Sequence, residues 1–493
     1  MSGFMLFKKC CCLNSSAFFF SRKFENGRVS LFSPKLIAMK KIFFCISLLF
    51  SIVSIAQQTL TPVQIAERNK PGTVMIQATY KGTVSAIQPE IDETSLAGLA
   101  QQVKDMVLQG TITQDQFWNV YIMTFCRDVD KYMMRGTQRV SKELNTTMVG
   151  SGFIVTPDGY VITNAHVVDE NDNDTKQTFS QQAFQEIMDD DVKTLEEAMG
   201  RKMTDEEAKA LRDANSWYFS QTLEVGDIKK EFSVVFGISG DKGKIVPLTI
   251  PARLVTQGDP IPGKDVAILK LTKKHTYPTI RMGDDKALRV GDQVYVLGYP
   301  AVATFHPLIS EESISEASLT RGLVSAKKNM KDGWEVLQTD ASITHGNSGG
   351  PVMNEQGEVI GLATFGSIDY QRQAEVQGMN FIVPSTIVQE FIKKAKIDPE
   401  MSDISLVYED AMSLFDKSRY KKALEKFQEV KEMNGSFPFI DKMINDTEKN
   451  IEKGLDSLRQ FIINNDIKSI ALPPLGAGNG GLEWANVKIL IEQ

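Results

Sequence analysis

The sequence predicts a mainly β protein, a barrel or sandwich broken by helical insertions and followed by a small α-helical region. Three observations carry this prediction. Short runs rich in Val, Ile and aromatic residues recur between Gly and Pro turns, without a helix after each, as at Gly150–Val155, Tyr160–Thr163 and Val294–Leu297. Two stretches, about 85–147 and 170–227, replace that pattern with helical spacing. Beyond Asp403 the apolar residues again fall at helical intervals.

With 493 residues the chain can build two or three domains, each with its own core. A hydrophobic content of 42% and a charged content of 24% are ordinary for a globular protein. The net charge of −7 gives no electrostatic reason to expect nucleic acid as a partner.

Met39-Lys40-Lys41, the apolar run Ile42–Val53 and Ser54-Ile55-Ala56 have the layout of a signal peptide at 39–56. The run is short for a membrane span, which needs about 20 residues. Export to the periplasm or outside the cell is expected, with 1–38 a spurious extension and a mature start near Gln57. Maturation then removes Cys10, Cys11, Cys12 and Cys45 and leaves Cys126, read as a small buried apolar residue.

From Gln57, Leu60–Lys70 reads as a helix and Thr73–Tyr80 as the first strand. Helices are expected at Ser95–Leu108 and Gln114–Met134 within the first insertion, which reads as a covering or scaffolding pair. Pro157-Asp158-Gly159 turns one strand into the next, which delivers His166 in Asn164-Ala165-His166-Val167-Val168. His275, His306 and His345 are the other histidines, so four compete for any role as a base.

In the second insertion, Thr204-Asp205-Glu206-Glu207 is a capping box. Asp169–Asp174 looks superficially like a calcium loop. Asp174 stands where the loop needs Gly and Ser180 where it needs Glu, so it reads as a solvated loop. No metal-ligand cluster or cofactor motif is expected. Strands follow at Glu231–Ile238 and Leu248–Val255, then at Gly263–Leu271. Period-2 alternation puts Asp265 on the apolar face with Ala267, Leu269 and Leu271, where a carboxylate is costly unless paired. It is either a histidine-orienting aspartate or a strand-entry residue capping a loop.

Further strands at Arg289–Pro300 and Thr320–Ala326 lead to Asp340–Pro351. There Ser348 sits in a turn with Gly346, Gly349 and Gly350 between two extended runs. Such a turn can aim the N–H groups of Gly346 and Ser348 at one point, as an oxyanion hole requires. A serine hydroxyl is a weak nucleophile without a base and a carboxylate.

Thr163–Val168, Asp265–Lys270 and Gly346–Pro351 occur in the order His, Asp, Ser. With Gly150–Ile154, Leu297–Pro300, Gly322–Ala326 and Asn380–Pro384, they resemble the chymotrypsin-fold serine peptidases, above all the protease domain of the bacterial HtrA/Deg family. The resemblance covers roughly 65–395 apart from the insertions, within a protease domain placed at 57–397. It implies two six-stranded barrels with the active site between them. It implies Ser348 as nucleophile, His166 as base, Asp265 as its orienting carboxylate, and Gly346 and Ser348 as oxyanion donors. Protein or peptide substrates follow.

Two positions depart from the digestive proteases of this fold. Asn347 carries no charge to pair with a new N-terminal amine, so zymogen-type activation is not expected. Ser342, six residues before the nucleophile, offers no carboxylate for a Lys or Arg side chain. Ile343 and Phe365 suggest an apolar pocket instead, and His345 is more readily a surface residue than a substrate contact.

No PDZ-like segment is evident. Residues 400–450 resemble one tetratricopeptide-type hairpin, with Ala411, Tyr420, Ala423, Phe427 and Val430 at matching spacings. One repeat cannot bury a continuous core, so it is expected to pack on the protease or a protein partner. Residues 451–493, with Gly476–Trp484, resemble a truncated macro domain, too short to bind ADP-ribose. The sequence thus points to an exported serine endopeptidase. The alternatives are a catalytically quiet binding protein of protease fold and, less favoured, an ADP-ribose module.

Overall fold

Thr61 starts the fold: its hydroxyl accepts from the Gln64 N–H while the Gln64 amide oxygen accepts from the Thr61 N–H, a reciprocal cap on α1 (Pro62–Asn69). The structure, a computed structural model, describes residues 59–169, 172–240, 245–369 and 374–467. The signal-peptide segment with Cys45, the three cysteines before it and the glycine-rich segment 476–484 lie outside these residues.

β1 (Thr73–Ile91) and β2 (Met133–Ile154) are far longer than the sequence suggests. They pair antiparallel from Thr73 opposite Phe153 to Ile91 opposite Met133, so the expected break at 85–147 is corrected to a long ribbon. The helices α2 (Glu93–Leu108) and α3 (Phe117–Arg127) lie only in its connection, and the expected helix Gln114–Met134 shortens accordingly. Alternation could not reveal the β2 half, because Thr137–Glu143 is exposed on both faces and carries little apolar signal.

β3 (Tyr160–Thr163) leads into a single turn, α4 (Ala165–Val168), and then to the second insertion as two helices, α5 (Asp172–Met199) and α6 (Asp205–Thr222). Thr204 and Glu207 close the expected capping box on α6. Within the rejected calcium loop, Asp169 and Asp172 pair with Lys230 at 2.7 and 3.0 Å. β4 (Glu224–Val225), β5 (Lys229–Ser239), β6 (Ile245–Gln257) and β7 (Ala267–Leu271) complete the first sheet. Its order is β2-β3-β7-β6-β5-β1-β4, and the β1–β2 pairing closes six of these strands into a barrel. Val74, Ile76, Ile154, Val161, Val234 and Leu269 fill it.

β8 (Gln293–Gly298) is followed by another single turn, α7 (Ala301–Thr304). With β9 (Ser318–Asn329), β10 (Glu335–Thr339), β11 (Pro351–Met353), β12 (Val359–Asp369) and β13 (Ala374–Pro384), β8 forms a second closed barrel of order β10-β13-β12-β11-β8-β9. A third apolar cluster, with Phe153, Ile162, Ile268, Tyr299, Leu362 and Val383, joins the two barrels. The expected two-barrel architecture, with helical insertions and a helical region after it, is therefore present.

α8 (Ser385–Lys394) packs at the end of β13. The tail then forms three helices, α9 (Asp403–Asp416), α10 (Tyr420–Met433) and α11 (Ile440–Asn464), around Tyr408, Ala411, Ala423, Phe427 and Phe437. α11 crosses the boundary expected at 450, so residues 451–464 are the second half of a helix that begins at Ile440. The tail docks on the barrels: Thr279 N–H donates to Ser405 Oγ at 2.8 Å and Ser402 N–H to Thr279 Oγ1 at 2.8 Å. Tyr408 Oη donates to the Glu67 carbonyl at 2.9 Å, and Arg68 pairs with Asp416 at 2.6 Å.

Candidate active site

Three loops at the junction of the barrels bring the chemistry together. After β3 the chain bends at Asn164, and α4 presents His166 with its ring 35% exposed. Asp265 lies just before β7 in a loop, not on the apolar face of a strand, which corrects the period-2 placement. Its φ of 36° is in the left-handed region, which costs a non-glycine residue on the order of 1–3 kcal/mol. Surrounding bonds hold it there: its N–H donates to the Asp259 carbonyl at 2.9 Å, and its carbonyl accepts from Asn164 Nδ2 at 2.8 Å.

The Asp265 side chain is fully buried and fully used. His166 Nδ1 lies 2.9 Å from Oδ2 and 3.1 Å from Oδ1, the His166 backbone N–H donates to Oδ1 at 3.0 Å, and Thr364 Oγ1 donates to Oδ2 at 2.6 Å. A buried carboxylate met by several donors is held in place and fixes its neighbour. An Nδ1–H donated to Asp265 leaves Nε2 as the proton acceptor of His166. Of the four histidines, this one meets Asp265. His275 stands edge-on to Tyr277, and His306 Nδ1 accepts from the Leu308 N–H.

The Ser348 turn is locked by backbone contacts. Gly346 has φ 95°, and a Cβ there would strike the Tyr299 carbonyl oxygen and come within 2.6 Å of the Ala301 nitrogen. Its carbonyl accepts from Ser151 Oγ at 2.6 Å, the Ser348 carbonyl accepts from the Ser151 N–H at 2.8 Å, and the His345 carbonyl accepts from the Ala301 N–H at 2.8 Å. The N–H groups of Gly346 and Ser348 donate to no acceptor among the described residues. Ser348 Oγ donates to the Thr364 carbonyl at 3.1 Å, and the Oγ–Nε2 hydrogen bond to His166 is not made.

His166, Ser348, Gly346 and His345 share a cleft of about 660 Å³. Ser342, Ile343 and Phe365 do not line it. Ser342 is exposed, with its carbonyl held by Thr320 Oγ1 at 2.9 Å. Ile343 turns inward with Ala341 and packs in the second barrel's core at 6% exposure, so it is not part of an open pocket. Phe365 is half-buried and stacked on Phe381 with ring centroids 4.6 Å apart. Asn347 is buried, and its N–H closes a turn to Thr344.

Sequence reasoning missed Thr364 and undervalued Ser151. Ser151 Oγ also accepts from the Tyr299 N–H at 2.9 Å, and so ties the first barrel to the Ser348 turn. Its only sequence signal was its place between Gly150 and Gly152; Thr364 carried none.

Residues 150–362 match the family model of the trypsin-like peptidase domain. The chain is 34% identical over 137 residues to the serine protease Do-like HtrA of Lactobacillus helveticus, a match covering 27% of this chain and 32% of that protein. It is 29% identical over 147 residues to the serine protease Do-like HtrB of Bacillus subtilis, covering 29% and 31%. A longer match, 25% identical over 270 residues, links it to a probable periplasmic serine endoprotease DegP-like of Pseudomonas savastanoi pv. phaseolicola, covering 54% and 39%. The chain spans about a third of the length of the curated relatives it matches. A trypsin-like peptidase domain of chymotrypsin fold, similar to the HtrA proteases, is thus present.

Proposed function

We propose that this chain is an exported serine endopeptidase that cleaves proteins through an acyl-enzyme and serves envelope protein quality control. The observation that carries the proposal is His166 Nδ1 seated on buried Asp265 in the cleft that holds Ser348. The names of the relatives, serine protease and serine endoprotease, support the activity, and "periplasmic" in one of them supports export.

Substrate binding turns Ser348 Oγ from the Thr364 carbonyl toward His166 Nε2. Oγ attacks the scissile carbonyl as Nε2 takes its proton, and the N–H groups of Gly346 and Ser348 receive the oxyanion. The imidazolium, stabilised by Asp265, hands the proton to the departing amine. Water then enters by the same route and releases the acid. Nothing in these steps needs a cofactor. The tail offers a surface for a protein partner.

The other reading is a quiet binding protein, favoured by the resting contact between Ser348 Oγ and the Thr364 carbonyl. A fluorophosphonate probe separates them, because only an activated serine reacts. Labelling of the wild type, with loss of labelling and of casein hydrolysis in Ser348→Ala, is expected. Casein hydrolysis that survives Ser348→Ala sinks the proposal, and an unlabelled, inactive wild type favours the binding reading.

A further inference from the structure

We infer that the loop following β8 selects substrates on the leaving-group side of the cleaved bond, with Phe305 receiving a large apolar side chain. The inference rests on the peptidase reading above and names a subsite of it. The departing amine takes its proton from His166, so the leaving strand must run past His166. The 660 Å³ cleft lies there: it is bounded by His166 and Val167, by Thr147 and Val149 of β2, and by Ala301 and Phe305 of the loop. The residues expected to hold the acyl side, Ser342, Ile343 and Phe365, contribute nothing to it.

Phe305 is 46% exposed, and Val302, Leu308 and Ile309 of the same loop are 75%, 88% and 45% exposed. Four large apolar side chains are thus left open within eight residues of this loop, and Phe305 is the one of them that lines the cleft. The start of the loop is held in place: the Ala301 N–H is bound to the His345 carbonyl, and the N–H groups of Thr304 and Phe305 donate to Pro300 and Ala301 carbonyls. Phe305 therefore keeps a fixed relation to the Ser348 turn. Among the described residues, the cleft lining has no carboxylate, lysine or arginine to pair with a charged substrate side chain. Gln77, Thr79 and Thr147 give it an uncharged polar floor.

The test uses internally quenched peptides with one common acyl side and with Leu, Phe, Gly, Asp or Lys at the two positions after the cleaved bond. Wild type is expected to favour Leu or Phe over Gly by roughly tenfold in kcat/KM, the discrimination an apolar contact of this size gives. Phe305→Ala should reduce that ratio to about two, and Phe305→Leu should keep most of it. A wild type indifferent to the leaving side, or an unchanged ratio in Phe305→Ala, overturns the inference and leaves the peptidase reading standing. No Ser348-dependent cleavage of any peptide overturns both. A melting curve for Phe305→Ala that matches wild type ties a lost ratio to the contact, and a collapsed Phe305→Leu ratio in a folded protein also counts against it.

Discussion

Thr364 links Asp265 to Ser348 from the two ends of one residue: its hydroxyl donates to Asp265 Oδ2 at 2.6 Å, and its carbonyl accepts from Ser348 Oγ at 3.1 Å. The hydroxyl meets a fully buried carboxylate, where a hydrogen bond to a charged group contributes about 1.5–3 kcal/mol. Thr364→Val keeps the shape and removes the donor. We expect kcat/KM to fall roughly tenfold, mainly through kcat, because Asp265 is less firmly aimed. Thr364→Ser should restore most of it. A Val variant as fast as wild type removes Thr364 from the positioning of Asp265.

Asp265→Asn tests the orienting carboxylate. Its amide can donate to Nδ1 and so favours the tautomer that places a proton on Nε2, where a base is needed. A fall of about 10⁴ in kcat near neutral pH is expected, with fluorophosphonate labelling slowed in parallel. Retention of more than a tenth of the activity rejects the assignment.

Glu207 gives a pH dependence far from the cleft. Its carboxylate is fully buried and accepts from Arg201 at 2.7 and 2.9 Å, from the Thr204 N–H at 2.9 Å and from Asn119 Nδ2 at 3.1 Å. The Arg201 guanidinium is the main cause that holds the carboxyl down, from 4.5 to about 2, against the opposing effect of burial. A carboxylate depressed in the folded state stabilises fully above its unfolded pKa, and that stability is lost as pH falls from 4.5 toward 2. Melting temperatures measured across that window should fall in the wild type and fall less steeply in Glu207→Gln. At pH 7 the variant should already be less stable, by about 2 kcal/mol. Parallel pH profiles for the two proteins count against this role.

Cys126 should be slow to alkylate in the folded protein. Burial is the main cause that pushes its thiol up to about 11, with Asp213 adding to the shift. Because the thiolate is the reactive form, iodoacetamide at pH 8 should react about 100-fold more slowly than with the same chain in denaturant. Equal rates in the two conditions would falsify the burial of this thiol.

Legibility in the sequence followed the presence of pattern. His166 and Ser348 stood in runs dense with Gly and β-branched neighbours, and the structure brings both to one cleft. Asp265 was singled out by an alternation that the chain does not follow, since β7 begins two residues later. The paired burial that argument demanded is real, and a left-handed loop supplies it in place of a strand face. The β1–β2 ribbon was hidden because solvent lies on both faces of Thr137–Glu143. Thr364 was invisible for another reason: a single hydroxyl placed by the long-range pairing of β12 leaves no local signature. Ile343 was misplaced because turn residues do not announce which way they point, and the inward partner of Ala341 proved to be core.

The docking of the tail on α1 has a consequence for how the chain is made. Tyr408 and Glu67 are 341 positions apart, and Arg68 and Asp416 are 348 apart. During synthesis α1 emerges early, yet these partners for it appear only after both barrels have left the ribosome. Closure of so long a loop costs entropy that only the finished contact repays, so contacts of this kind form late. The tail thus acts as a latch set last, on a helix whose Ile65 the two barrels already bury.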